Sequence, residues 1–144
     1  GMTLAADLVG EFTQALDARA REALSEAHLQ PRLSLDAECP LAQVSFLLIE
    51  DLKRLAPHGM GNPEPVLYAT GVKVLSQRIV GKDQRHLKLT LEAGREAMGA
   101  IAFGMAAQAP PPGSRVDLAY VPEINVYRGR KSLQIRVKAL RISA

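Results

Sequence analysis

Apolar residues recur along this chain at two different periods, and the change from one to the other divides it. Leu8, Phe12, Leu16, Ala20, Ala23, Leu24 and Ala27 return at helical spacing among alanines and charges, which predicts a helix capped by Asp7 and running to about His28. Pro31 breaks that pattern, and Leu33, Leu35 and Ala37 then alternate with Ser34, Asp36 and Glu38, as in a short half-buried strand. A second helix is predicted from Pro40, which suits a first helical position, to Pro57, with Val44, Leu47, Leu48, Leu52 and Leu55 as its apolar stripe. A core helix and a partner-binding helix would share such a stripe. The next eight residues, HGMGNPEP from His58 to Pro65, hold two glycines and two prolines, which excludes regular structure and marks a boundary.

From Val66 the period becomes two. Five strands are predicted: Val66 to Ile79, His86 to Glu92, Met98 to Phe103, Arg115 to Val121, and Leu133 to Ile142. Leu87, Leu89 and Leu91 alternate with His86, Lys88 and Thr90, and Leu133, Ile135 and Val137 with Gln134, Arg136 and Lys138, so each strand has one core face and one wet, mostly basic face. Gly71 interrupts the long first strand, and the alternation slips at Ala139 and Leu140; both are places for a barrel strand to bulge and bend. Five short strands with a bendable first one suit a partly open OB-type barrel, with a small SH3-like barrel as the alternative. The fold class is therefore α+β: N-terminal helices followed by a five-stranded OB-like β-barrel. Between the third and fourth strands, Gly104 to Gly113 with its three prolines leaves room for little more than a turn of helix. The chain divides into residues 1–30, 31–65 and 66–144.

With 144 residues, 47% of them hydrophobic, the chain can build a real core. No stretch approaches the roughly 18 apolar residues of a membrane helix, no signal-peptide layout opens the chain, and the lone Cys39 excludes an internal disulfide, which together point to the cytoplasm. Gly1 ahead of Met2 reads as a tag remnant or as the start of a piece of a longer protein. The net charge of +3 conceals a division at Pro65: five Lys/Arg against ten Asp/Glu before it, thirteen against five after it, hence −5 and +8. Phosphate attraction is summed over a local patch, so the second part points to an anionic partner.

In OB barrels ligands lie across the second and third strands, between the loops joining strands one to two and four to five. Around Ser76 to Arg85 the chain carries Arg78, Lys82 and Arg85, and over Asn125 to Ser132 it carries Tyr127, Arg128, Arg130 and Lys131, while His86 and Lys88 face outward on the strand between. These nine are the candidate nucleic-acid-binding residues: cations to follow a phosphate backbone, Tyr127 and guanidinium planes to stack on bases. A solvated hairpin tip, with Gly129 present only for its positive φ, is the competing reading of the RGRK run. There is no Trp, and Tyr68, Tyr120 and Phe103 are expected to face the core. One exposed tyrosine predicts a weak, salt-sensitive binder with little sequence preference, since stacking contributes about 1–3 kcal/mol per base. Catalytic chemistry is absent from the pattern: His28, His58 and His86 lack metal-ligand spacing, Asp36, Glu38, Glu50 and Asp51 form no converging cluster, and Gly59 and Gly61 lack the Lys of a phosphate loop. No catalytic residue, metal ligand or cofactor is assigned to this chain.

The segments LAPHGMGNPEPV (Leu55 to Val66), HLKL (His86 to Leu89) after Gly81, AIAF (Ala100 to Phe103), VDLAY (Val116 to Tyr120), Asn125 with Tyr127, Arg128 and Gly129, and LQIRV (Leu133 to Val137) resemble the C-terminal part of the RecJ family of bacterial single-strand-specific 5′ to 3′ DNA exonucleases. GNPEP is the most specific element. GMTL before a long helix is similar to that family's exit from its DHH-associated domain. The resemblance implies that residues 1–30 are the end of that domain, 31–65 a link, and 66–144 an OB domain binding single-stranded DNA. It also implies that Mn2+ or Mg2+ chemistry resides in DHH catalytic domains whose motifs this chain lacks. It supports His86, Lys88, Tyr127 and Arg128 as motif positions, whereas Arg78, Lys82, Arg130 and Lys131 rest on electrostatics. Those DHH domains and a single-strand-binding protein are the further partners expected, and no membrane. A module that braces the catalytic domains without touching DNA is the alternative.

Overall fold

A computed structural model describes residues 1–144, which form two compact units, residues 1–33 and 34–144. In the first, a 3-10 turn Ala6–Leu8 leads into α1 (Val9–Ala23) and then α2 (Glu26–Leu29), and none of their residues is buried. Asp7 does not cap α1; it lies in the 3-10 turn, and Leu8 is the capping position without a side-chain bond. The helix expected to run to His28 breaks at Leu24, which is extended (φ −101°, ψ 129°). Ser25 restarts it, its backbone N–H donating to His28 Nδ1 at 3.1 Å; serine offers the backbone such local alternatives to a continuous helix. Arg21–Asp17 and Arg19–Glu22 pairs, both 2.9 Å, brace α1 along its surface.

The second unit is a closed barrel with a short strand and a helix attached. Its strands are β1 (Ala37–Glu38), β2 (Leu67–Val80), β3 (His86–Ala93), β4 (Glu96–Ala102), β5 (Arg115–Tyr127) and β6 (Arg130–Ile142), in the order β1-β2-β3-β4-β6-β5 with β2 also paired to β5. The last pairing closes five strands into a ring, all antiparallel neighbours except β4 and β6. The half-buried strand expected over Leu33 to Ala37 shrinks to two residues, because Leu33 and Leu35 are exposed and only Ala37 and Glu38 pair, in parallel, with Leu67 and Tyr68. One 3-10 turn, Ala106–Gln108, fills the connection between β4 and β5, as its prolines imply.

β2 can serve both sides of the ring because it turns a corner. Residues 67–73 pair with β5 and residues 74–80 with β3, with register shifts between Ala69 and Val72 and between Val74 and Ser76. Gly71 sits at the corner with φ +64°, a conformation that costs a side-chain-bearing residue roughly 1–2 kcal/mol. Asp117 of β5 fixes it. Its Oδ1 accepts from the Gly71 N–H at 3.0 Å and from the Ser143 hydroxyl at 2.7 Å, while Oδ2 accepts from Arg141 at 3.0 Å; Arg115 returns a bond to the Gly71 carbonyl at 2.7 Å. The slip foreseen near Ala139 is a bulge at Lys138, with Ala119 opposite Ala139 but Tyr120 opposite Val137.

Inside the ring Val74, Leu87, Leu89, Leu91, Val116, Leu118, Tyr120 and Ile135 are fully buried, each aliphatic side chain contributing about 1.5–3 kcal/mol. Cys39, Leu41 and Val44 from the preceding segment join the same core, with Leu48 and Leu52 of α3 (Phe46–Lys53) packed against it. The Tyr120 hydroxyl donates to the Cys39 carbonyl within this core. α3 is shorter than expected: Pro40 precedes a 3-10 turn, Leu41–Gln43, and Ser45 caps the helix by accepting from the Leu48 N–H at 3.1 Å. The later start rotates the stripe, so Ile49 is buried while Leu47 and Leu55 are exposed.

Burial also corrects the aromatic positions. Tyr120 alone is in the core; Tyr68 is half-buried and Phe103 is exposed.

The Asp117 carboxyl is held below the usual aspartate range, first by the Ser143 hydroxyl, then by the Gly71 N–H and Arg141. A lowered folded pKa means that the ionised form stabilises the fold at neutral pH, and that this stabilisation is lost as pH falls through the folded value. Asp117→Asn is therefore expected to lower stability by about 1 kcal/mol at pH 7, with the gap to the parent closing below pH about 4. Urea midpoints measured across that range check it.

Candidate nucleic-acid interface

Of the segments foreseen as basic loops, half of the first and most of the second are strand. β2 continues to Val80 and β3 starts at His86, so the first loop is only the turn of residues 81–85; Arg78 lies on β2, directly opposite Lys88 of β3. The second is a β-ribbon closed by a two-residue turn, Arg128 (φ +49°) and Gly129 (φ +77°), with Tyr127 opposite Arg130 and Val126 opposite Lys131. β5, expected to end at Val121, runs on through Pro122 to Tyr127. The strand tolerates the proline because β2 stops pairing at Tyr120, so that edge of β5 needs no further donor.

Eight of the nine predicted residues fall into three groups. Arg78 and Lys88 share one outward row, exposed, with Ile101 of β4 and Arg136 of β6 continuing it across the sheet. Lys82 and Arg85 are exposed on the adjoining turn. Tyr127, Arg128, Arg130 and Lys131 lie at the other end of the face, because β6 runs parallel to β4 and begins beside the start of β4, away from His86. The two basic turns are thus separated by roughly 25 Å, the span of β3's eight residues at about 3.3 Å each. The ribbon also divides its own charges: Tyr127 and Arg130 share one face, Val126 and Lys131 the other. Lys131 is near enough to α3 to help Lys53 hold the Glu50 carboxyl below its ordinary range. The Arg128 guanidinium lies over the Tyr127 ring, 5.3 Å from its centroid.

His86 is a structural residue of this face. It is half-buried, its Nδ1 accepts from the Gly104 N–H at 3.1 Å, and its ring meets Phe103 edge-on with centroids 5.2 Å apart. A Cβ on Gly81, where φ is +97°, would stand 2.9 Å from His86 Cδ2. Together with the Ala106 N–H donating to the Arg85 carbonyl at 3.1 Å, this ties the turn to the β4–β5 connection.

The seven cations among the nine make no salt bridge, whereas Arg136, Lys138 and Arg141 of β6 are all ion-paired. Glu64, from the GNPEP segment, accepts two bonds from Arg136 Nη2 at 2.9 Å and lies 3.6 Å from Lys138 Nζ; Glu123 lies 3.5 Å from Arg136 Nε and accepts from Gln134 at 2.7 Å. Asn62 folds that segment back by donating to the Leu55 and Pro57 carbonyls at 2.8 and 3.0 Å. GNPEP is accordingly a clasp between the linker and β6. Sequence reasoning missed this network and the exposure of Phe103, although the alternation in AIAF, with Ala100 and Ala102 inward, already turns Phe103 outward. No group of three or more His, Cys, Asp or Glu converges to hold a metal ion, and no helix is long and apolar enough to cross a membrane.

A closed five-stranded ring with this strand order, its outer face carrying unpaired cations between two turns, defines an OB-type barrel. The chain belongs to the family described as the RecJ OB domain, whose model matches residues 35–139. It is 32% identical to the single-stranded-DNA-specific exonuclease RecJ of Haemophilus influenzae over 141 residues, 95% of this chain and 24% of that protein. It is 34% identical to RecJ of Escherichia coli over 139 residues, and 27% identical to RecJ of Bacillus subtilis over 145, covering 24% and 18% of those proteins. The chain thus spans a quarter or less of the curated relatives it matches. In fold it matches RecJ from Thermus thermophilus, solved with Mn2+, at a TM-score of 0.71 and 24% identity, over 100% of this chain and 20% of that one.

Gly81→Ala is expected to cost about 1–2 kcal/mol, from the positive φ and the displaced His86 ring. Thermal denaturation of the variant measures it, and an unchanged midpoint would contradict the role given to the His86 contact.

Proposed function

We propose that residues 66–144 bind single-stranded DNA as the OB module of a RecJ-type 5′ to 3′ exonuclease of DNA repair and recombination, working in the cytoplasm. The observation that carries the proposal is the Arg78–Lys88 pair: two like charges directly opposite on neighbouring strands, neither in an ion pair. Like charges so placed oppose folding by roughly 0.2–1 kcal/mol. An anionic ligand offsets that cost, and a polyanion reaches the other free cations as well. The exonuclease chemistry, with Mn2+ or Mg2+ as the metal, belongs to DHH catalytic domains outside this chain, and those domains and a single-strand-binding protein are its partners besides DNA. The nine predicted residues keep their assignment with one change of role: His86 holds the turn in place, and the cations meet phosphate.

Fluorescence anisotropy of a labelled single strand tests this. Binding is expected to weaken with salt, log K falling by about 0.7 per phosphate neutralised for each unit of log salt, and to exceed binding of the matching duplex. Absence of binding at low salt overturns the proposal. Lys88→Glu separates function from stability: it is expected to raise the melting temperature by pairing with Arg78 while lowering affinity for the strand.

A bracing role is favoured by a different observation, the exposure of Phe46, Leu47 and Leu55 on and just after α3. Under that reading Arg78→Ala and Lys88→Ala leave DNA affinity unchanged, and Leu47→Asp disrupts assembly with the catalytic domains.

A further inference from the structure

The outer face of the barrel is chemically lopsided. On its β2–β3 side, Arg78 and Lys88 make no ion pair. On its β6 side, Glu64 and Glu123 neutralise Arg136 and Lys138 and add carboxylate oxygens that repel phosphate. Between them β4 offers Gly99, which has no side chain, then Ile101, half-buried, and just beyond the strand end Phe103, 56% exposed. The Phe103 ring is oriented in advance: it meets His86 edge-on, and His86 is itself fixed by the Gly104 N–H and by its close approach to Gly81. A rigid, exposed ring forfeits little rotamer freedom when a base covers it.

We infer that a bound single strand lies on this face with its phosphates along Arg78 and Lys88 and its bases turned towards β4, where Phe103 is a stacking position. This rests on the single-strand reading above. It assigns the base side and the phosphate side of the groove, and it gives the module two aromatic positions, Phe103 and Tyr127, at opposite ends of one face. Stacking is indifferent to base identity, so Phe103 supplies affinity without sequence preference.

The test compares a labelled oligothymidine with an abasic strand of the same length, which keeps the sugar-phosphate chain and lacks bases. Phe103 lies outside the buried core, so Phe103→Ala keeps the fold, as its melting temperature will register. The variant is expected to bind oligothymidine about 5- to 100-fold more weakly, with an unchanged salt slope and unchanged binding of the abasic strand; Phe103→Trp restores the loss. Arg78→Ala with Lys88→Ala weakens both strands alike and lowers the salt slope by about 0.7 per cation removed. If Phe103→Ala leaves oligothymidine binding intact, or weakens both strands equally, the stacking assignment is overturned while single-strand binding stands. If the parent chain binds neither strand at low salt, the single-strand reading falls and the stacking assignment with it.

Discussion

The barrel depends on a carboxylate holding a corner. β2 closes the ring only because it changes partner from β5 to β3 partway along, and it does so at Gly71, where the backbone adopts a left-handed conformation with its N–H donated to Asp117 and its carbonyl bonded by Arg115. Asp117 also gathers Arg141 and Ser143 from the end of the chain, so three strands meet on one side chain. Without that corner, the inward rows of leucines on β3 and of valine, leucine and tyrosine on β5 would not face each other across a closed core.

Much of this was legible in the chain. Alternation in HLKLTLEA and LQIRV gave the strands and their faces, Gly71 gave the corner, and the slip near Ala139 marked the bulge at Lys138. What failed, failed for local reasons. The strand expected to end at Val121 runs on to Tyr127, because past Tyr120 one edge of β5 is free and tolerates Pro122, and a free edge cannot be recognised from sequence. Ser25 broke a helix whose apolar period runs on past it. Pro40 misplaced the start of α3 by several residues, enough to exchange Leu47 for Ile49 as the buried side chain. At the site, the cations were visible as composition, but their lack of ion-pair partners was not. Glu64 lies 72 residues from Arg136, and nothing local announces that they meet.

That pairing pattern changes the meaning of the +8 charge. Glu64, Glu123 and Asp117 all pair with β6's cations, which leaves Arg78 and Lys88, on β2 and β3, without an ion-pair partner in place of an evenly basic surface. A diffuse basic surface attracts any polyanion, whereas a strip with an acidic margin also aligns one. Fold and family place this strip on an OB barrel, in a chain a quarter or less the length of the RecJ exonucleases it matches.

The segment from Cys39 to Val44 joins the barrel's core from outside the ring, and its tie to Tyr120 joins residues 81 positions apart. Its apolar side chains therefore leave the ribosome well before the strand that shelters them. Contacts so distant along the chain form late, after the entropy of closing a long loop has been overcome. Until β5 has been made, the core that Leu41 and Val44 join is incomplete and the Tyr120 tie is missing, so the nascent chain passes through a stage in which this segment is less sheltered and prone to stray association.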